Sequence, residues 1–241
     1  MRSSAEVTAS SGPADLPASP GGLRPGPRGG PAQPRRRDAQ RNRETFLAAA
    51  RAAFAEHGAG ASLEQVARDA GLAIGTLYNH FPSRLDLLLA VYEPRACELL
   101  TEAEAALQMD DPGEGFRRCL EALLAMQAGD RGFNDLLCTR FPGDARTEAL
   151  INRLCDLMKK VIQRGQASGD VRPDITDADI VSLMWANGRI VEATGHIAPN
   201  AWRRHLYLMM DAFQAANGHE LPEPPLTDDQ LYQAMADRGA C

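Results

Sequence analysis

The run Ser62-Leu63-Glu64-Gln65-Val66-Ala67-Arg68-Asp69-Ala70-Gly71-Leu72-Ala73-Ile74-Gly75-Thr76-Leu77-Tyr78-Asn79-His80-Phe81 decides how the chain is read. Ser62 and Gln65 have the spacing of a capping box, in which the serine oxygen takes the amide of Gln65 and the glutamine side chain returns the bond. Leu63, Val66, Ala67 and Ala70 then recur at steps of three and four, so a short helix is predicted, ended by Gly71. A second short helix is predicted over Ile74 to His80, stopped by Pro82. At about 100° per residue, Ile74, Leu77 and Phe81 share one side of it. Gly75, Thr76, Asn79 and His80 lie opposite, with Tyr78 at the boundary. A helix held by its apolar edge therefore offers small and polar groups outward.

Upstream, Phe46, Leu47, Ala50, Ala53 and Phe54 form one stripe on a helix from Arg41 to His57, closed by Gly58 and Gly60. Downstream, Ser83 with Asp86 caps a helix running toward Leu107, and Pro94 is predicted to kink it. Beyond residue 110, helices are predicted from the Asp111-Pro112-Gly113-Glu114 cap to Gln127, over Gly132 to Thr139, and over Ala145 to Ala167. Two more cover Asp177–Thr194 and Asn200–Ala216, with Gly169, Gly195 and Gly218 as closures. A second capping box at Thr227 and Gln230 precedes a short terminal helix carrying Leu231, Tyr232 and Met235. No period-2 alternation or hairpin dipeptide indicates a strand. The predicted fold is all-α, an N-terminal three-helix helix-turn-helix domain followed by a larger helical bundle.

Composition divides the chain in the same way. Residues 1–95 carry a net charge of +3 and the remainder −9, within a total of −6. A basic front on an acidic body suggests an anion-binding head. Residues 1–34 hold seven of the 16 prolines and little apolar content, so ordering them would cost entropy that no burial offsets. The organisation is read as a disordered Pro/Gly/Arg-rich tail (1–36), a DNA-binding head (37–86), an effector-binding and dimerisation body (87–218) and a C-terminal tail with a short helix (219–241). No apolar run approaches the about 18 residues needed to span a bilayer, and no secretory signal is read near Met1. The scattered cysteines at 97, 119, 138, 155 and 241 form no disulfide framework, which fits a reducing cytoplasm.

Two short helices around a glycine turn, the second showing a polar face, is the layout in which that second helix enters the major groove. Residues from about Arg41 to Leu89 resemble the DNA-binding domain of the tetracycline repressor (TetR) family. The resemblance rests on Phe54/Gly58, Val66-Ala67, Ala70-Gly71, Gly75-Thr76-Leu77-Tyr78, His80-Phe81 and Ser83-Arg84. It implies that Gly75, Thr76 and Tyr78 lie against the groove, with Tyr78, His80 and Arg84 reaching phosphates. Asn79 belongs to the same face. Ser62 presents free helix amides to anions, and Arg35, Arg36 and Arg37 are candidate phosphate or minor-groove contacts. Ala73 stands where the family often has serine or threonine, which removes a possible cap. Arg84 stands where it often has lysine, which keeps the charge.

A reading head of this size needs a two-fold partner, with half-sites about 34–36 Å apart or a multiple of that. The resemblance places a homodimer interface on the last two long helices. Ile180, Leu183, Met184, Ile190 and Val191 line one, and Trp202, Leu206, Met209, Met210 and Phe213 the other. The same resemblance points to a small-molecule effector among the middle helices. The candidate contacts there are Phe116, Cys119, Leu123, Met126, Phe133 and Leu137, with Trp185 and Arg189 on the penultimate helix. The function implied is a ligand-responsive regulator, a repressor by family analogy, bound to palindromic double-stranded DNA and released by an effector. An all-helical interaction module, or an activator without an effector, is the alternative. No metal-binding spacing, phosphate-cradling loop or nucleophile motif indicates an enzyme, a cofactor or a metal site.

Overall fold

A computed structural model describes residues 32–239, with side chains from 36 to 238. Among the described residues the fold is all-α, and the only extended pairing is an isolated antiparallel bridge between Val171 and Gln214. The helices are α1 (Ala32–His57), α2 (Leu63–Asp69), α3 (Ile74–His80), α4 (Arg84–Gln108) and α5 (Pro112–Ala128). They continue with α6 (Arg131–Leu137), α7 (Ala145–Ser168), α8 (Asp177–Thr194), α9 (Ala201–Phe213) and α10 (Asp228–Gly239). Of the described residues, 39–239 belong to one compact unit and 32–38 to another. Most of the tail read as 1–36 lies outside the described residues. The described helix opens at Ala32, nine residues before the predicted start at Arg41.

The caps set the helix starts. Ser83 Oγ accepts from the amide of Asp86 at 3.1 Å while Asp86 Oδ2 accepts from that of Ser83 at 3.0 Å, so the predicted cap is a full capping box. Asp111 receives the amide of Glu114 at 2.9 Å, and Thr227 and Gln230 exchange both of their predicted bonds. The box at Ser62 closes on one side only. Its oxygen takes the amide of Gln65 at 3.2 Å, but the Gln65 side chain turns forward to Asp69 and Arg68. Charge-assisted bonds one turn ahead outcompete the neutral return bond. Helix α4 continues as one element through Pro94, and Arg51 Nη2 donates to the Val91 carbonyl at 3.3 Å, just before the proline.

Helices α4, α5 and α7 pack on one another, and α8 pairs with α9 against α5. Head and body share a single apolar cluster. At their seam Phe54, Tyr92 and Phe133 form an aromatic series with ring centroids 6.4 and 5.6 Å apart. The Tyr92 hydroxyl donates to Asp130 Oδ1 at 2.6 Å, and burial followed by this carboxylate pushes its pKa well up, so it remains a donor. Asp130 also caps α6 through the amide of Phe133 at 3.0 Å. Gly132 fits beneath this cluster because a Cβ there would stand 2.5 Å from Tyr92 Oη and 2.8 Å from Phe54 Cβ. Among the described residues no helix is long and apolar enough to cross a membrane.

Candidate nucleic-acid interface

Helix α3 is fixed from beneath. Leu77 is fully buried, Phe81 nearly so, and Ile74 is half-buried against the core, so the predicted apolar edge is the anchored one. Gly75, Tyr78 and Asn79 are exposed, and Thr76 is half-buried. Tyr78 keeps 46% of its surface in solvent, high for a ring of its size. The side chains of Thr76, Tyr78 and Asn79 make no hydrogen bond to the rest of the described chain. A Cβ built on Gly75 meets nothing within 4 Å. The protein therefore imposes no steric need for glycine there, although glycine weakens a helix by roughly 0.5–1 kcal/mol relative to alanine. Such a bare stretch of backbone suits the close approach of something external.

The remaining predicted contacts fall into distinct places. Ser62 caps α2, and its hydroxyl also donates to Glu64 at 3.0 Å. His80 sits half-buried with its ring 6.1 Å from that of Phe46 and 6.3 Å from that of Phe81. Arg84 is exposed, yet its Nη1 donates to the carbonyl of Ala59 at 3.0 Å and to that of Ala61, fastening α4 to the loop before α2. Ala73 caps α3 without a side-chain bond, as its methyl dictates. Arg36 and Arg37 are exposed on the first turns of α1, and the side chain of Arg35 lies outside the described residues.

Sequence reasoning missed the tie between this head and α6. The amide of Ala59 donates to Asp135 Oδ2 at 2.9 Å, and Gly58 beside it has φ +78, with its Cβ position 2.5 Å from the same oxygen. Only a glycine in the left-handed region fits there. The contact spans 76 residues of sequence, and no local pattern announces it.

A cavity of about 60 Å³ lies in the body between α4, α5, α7 and α8. Of the predicted effector contacts, Cys119, Leu123 and Leu137 line it. Phe116 packs edge-on against Phe213 with centroids 6.2 Å apart, and Phe133 belongs to the aromatic seam. Met126 packs half-buried, its carbonyl taking Arg95 Nη2 at 2.9 Å. Trp185 and Arg189 face a separate polar cleft. Ile180 and Met184, predicted for the dimer, line the cavity instead. Leu183, Trp202, Leu206, Met210 and Phe213 are likewise buried within the chain, because the α5–α8–α9 core needs them. Ile190, Val191 and Met209 are half-buried, while Tyr207 and Leu208 on α9 are exposed. His205 Nε2 is buried without a partner on that helix.

Burial pushes the Cys119 thiol up to about 12, so it is neutral, and Asp177 at the cavity edge is bridged to Lys159 at 3.4 Å. Below the cavity, fully buried Asn187 donates to Gln127 Oε1 at 2.8 Å. Gln127 in turn donates to the Met184 carbonyl at 2.9 Å and to Asn134, linking α8, α5 and α6. Among the described residues no cluster of three metal-ligating side chains occurs.

The family model of the tetR family of bacterial regulatory proteins matches residues 46–91. That of the C-terminal domain of SbtR-like transcriptional regulators matches residues 111–215. No curated protein matches the chain. Among solved structures it is similar to the TetR family transcriptional regulator PfmR from Thermus thermophilus, at 22% identity and TM-score 0.53, over 73% of this chain and 99% of that one. It is also similar to the transcriptional regulator FadR from Bacillus subtilis in complex with stearoyl-CoA, at 16% identity and TM-score 0.52, over 73% and 99%. A third is the TetR transcriptional regulator SCO0520 from Streptomyces coelicolor, at 26% identity and TM-score 0.46, over 71% and 98%. The first two likenesses establish a shared fold.

Proposed function

The chain belongs to the tetR family of bacterial transcriptional regulators, and from that premise we propose that it is a cytoplasmic homodimeric repressor, bound to a palindromic operator through α3 and released by a small-molecule effector. The observation that carries the reading is the free face of α3. Leu77 and Phe81 hold the helix while Gly75, Tyr78 and Asn79 stand exposed and unused by the rest of the described chain. A threonine hydroxyl and methyl and a tyrosine hydroxyl beside a bare glycine suit base edges and phosphates. Ser62, His80 and Arg84 belong to the same head as α3, and the exposed Arg36 and Arg37 on the first turns of α1 supply further positive charge for phosphates.

Dimerisation is assigned to α8 and α9. Val191 on α8 and Met209, Tyr207 and Leu208 on α9 retain exposed apolar surface, which fits a face completed by a second copy. The effector is assigned to the inner cavity. Two helices that line it also touch the head, α4 through its Ser83 end and α6 through Asp135. An effector that favours one arrangement of these rods would misplace the two reading helices for their half-sites. A coupling of about 1–3 kcal/mol changes occupancy roughly five- to 150-fold.

Selection of bound fragments from a random DNA pool tests DNA binding and dimer symmetry together. Enrichment of an inverted repeat with half-sites about 34–36 Å apart, or a multiple, is expected. A pool that stays random at low salt would sink the reading.

A further inference from the structure

The inner cavity has a cover that the matched family regions do not include. The family match ends at residue 215, and α10 lies beyond it. Residues 216–230 are exposed throughout, after which Leu231 and Met235 of α10 are buried again. Met235, 1% exposed, forms part of the cavity wall together with Cys119, Cys155, Met158 and Met184. The amide of Arg140 donates to the Met235 carbonyl at 3.0 Å, and Lys159 bridges Asp177 at the cavity edge to Asp228 at the start of α10, at 3.4 and 3.5 Å. The Arg140 guanidinium lies 5.6 Å from the ring centroid of Tyr232, and that of Arg238 lies 5.9 Å from the ring of Trp185.

Two features favour release of this docked helix. Its apolar hold consists of two buried side chains at the end of a long exposed connector carrying Pro222, Pro224 and Pro225. It also covers Arg140, whose guanidinium is paired with Glu148 at 3.3 Å and donates to Asn152 at 2.6 Å while its Nε has no partner, and departure of α10 would open that nitrogen to water. The free space of about 60 Å³ falls far short of the roughly 300–1,000 Å³ of small-molecule sites. A guest of ordinary size enters only if part of the wall leaves, and α10 is the piece attached most weakly.

We propose that α10 is a lid built into the chain, that the side chain of Met235 occupies space the effector needs, and that the effector is an uncharged apolar molecule that binds by displacing it. This rests on the assignment of the effector to the inner cavity. The class of guest follows from the lining. It is aliphatic and rich in sulfur, which favours polarisable aromatic surfaces, and its only charge, Asp177, is already paired. A charge seated deep within this lining would have no partner there.

The test uses N-phenyl-1-naphthylamine, an uncharged fluorophore that brightens in apolar surroundings, and no DNA. Its affinity and association rate are measured for the full chain, for a chain ending at Gly218, and for the double variant Leu231→Ala/Met235→Ala, which keeps α1 to α9 complete. Affinity is expected to rise at least tenfold on truncation and severalfold in the double variant, with faster association in both. A sulfonated analogue of the probe is expected to bind at least tenfold more weakly. Equal affinity and rate across the chains, or binding to none, overturns the lid; equal binding of the sulfonated analogue overturns the class of guest. If the truncated chain does not fold, the double variant decides alone. Failure of any compound to release DNA would count against the effector reading and leave the lid result standing.

Discussion

Asp135 on α6 holds the backbone amide of Ala59, at the turn after α1, through a 2.9 Å hydrogen bond. This joins the reading head to a helix whose far end, at Leu137, lines the inner cavity. Asp135→Ala leaves a partly buried amide without a partner and is expected to destabilise the protein by about 1–3 kcal/mol. Gly58→Ala is expected to cost at least as much, since it forces a positive φ and meets the Asp135 carboxylate. Urea unfolding of both single variants and the double variant measures this. Strongly non-additive losses are expected, and additive losses would show that the two residues do not interact.

Gly75→Ala separates folding from recognition. With nothing within 4 Å of the new methyl, the variant should be as stable as the parent or gain up to about 0.5–1 kcal/mol. Operator affinity should fall at the same time, because the methyl occupies the approach to the groove. Thermal unfolding and titration against the selected DNA check both halves, and unchanged affinity would remove α3 from the interface.

Thr76→Ala/Tyr78→Ala is expected to abolish sequence-specific binding without altering helical circular dichroism, because neither side chain bonds to the rest of the described chain and Tyr78 is half in solvent. Each good base contact contributes about 1–3 kcal/mol of discrimination. Retained specificity in a competition assay would contradict the assignment.

The Ser83 cap gives a pH signature. The Asp86 carboxyl is held below the ordinary carboxylate range by the Ser83 hydroxyl first and by Arg146 second. A carboxyl whose pKa is depressed in the folded state adds stability above its unfolded value, and that stability is lost as pH falls through the folded one. Thermal midpoints of the parent and of Asp86→Asn should therefore differ at neutral pH and converge as the pH falls below the ordinary carboxylate range. A constant gap would dissociate Asp86 from the acid response.

Thiol reactivity reports the state of the core. Burial raises Cys119 and Cys138 to about 12, whereas Cys97 is exposed. Alkylation at pH 8, followed peptide by peptide, is expected to mark Cys97 quickly and the two buried thiols slowly. Fast labelling of Cys119 in the full chain would mean that the cavity stands open.

What could be read from the sequence was local. Periodicity located the helices, and the caps at Ser83, Asp111 and Thr227 follow from side chains three residues apart. The two faces of α3 follow from a helical wheel. The Gln65 return bond failed because Asp69 and Arg68 offered charged partners one turn on. The division of the α8 and α9 stripes between cavity, core and outer face depends on neighbours distant in sequence, so Ile180 and Val191 look alike in a pattern and end in different places. The docking of Met235 onto Arg140 likewise crosses most of the body and leaves no periodic trace.

The seam at Gly132, Tyr92 and Phe54 limits how this protein can be recombined. A glycine with no room for a methyl, a tyrosine above it and a phenylalanine from the first helix interlock across the border between reader and body. A reader grafted from a relative brings a different first helix to that border. It seats properly only where its own residue matches this one, so chimaeras that exchange specificity must carry their side of the joint with them.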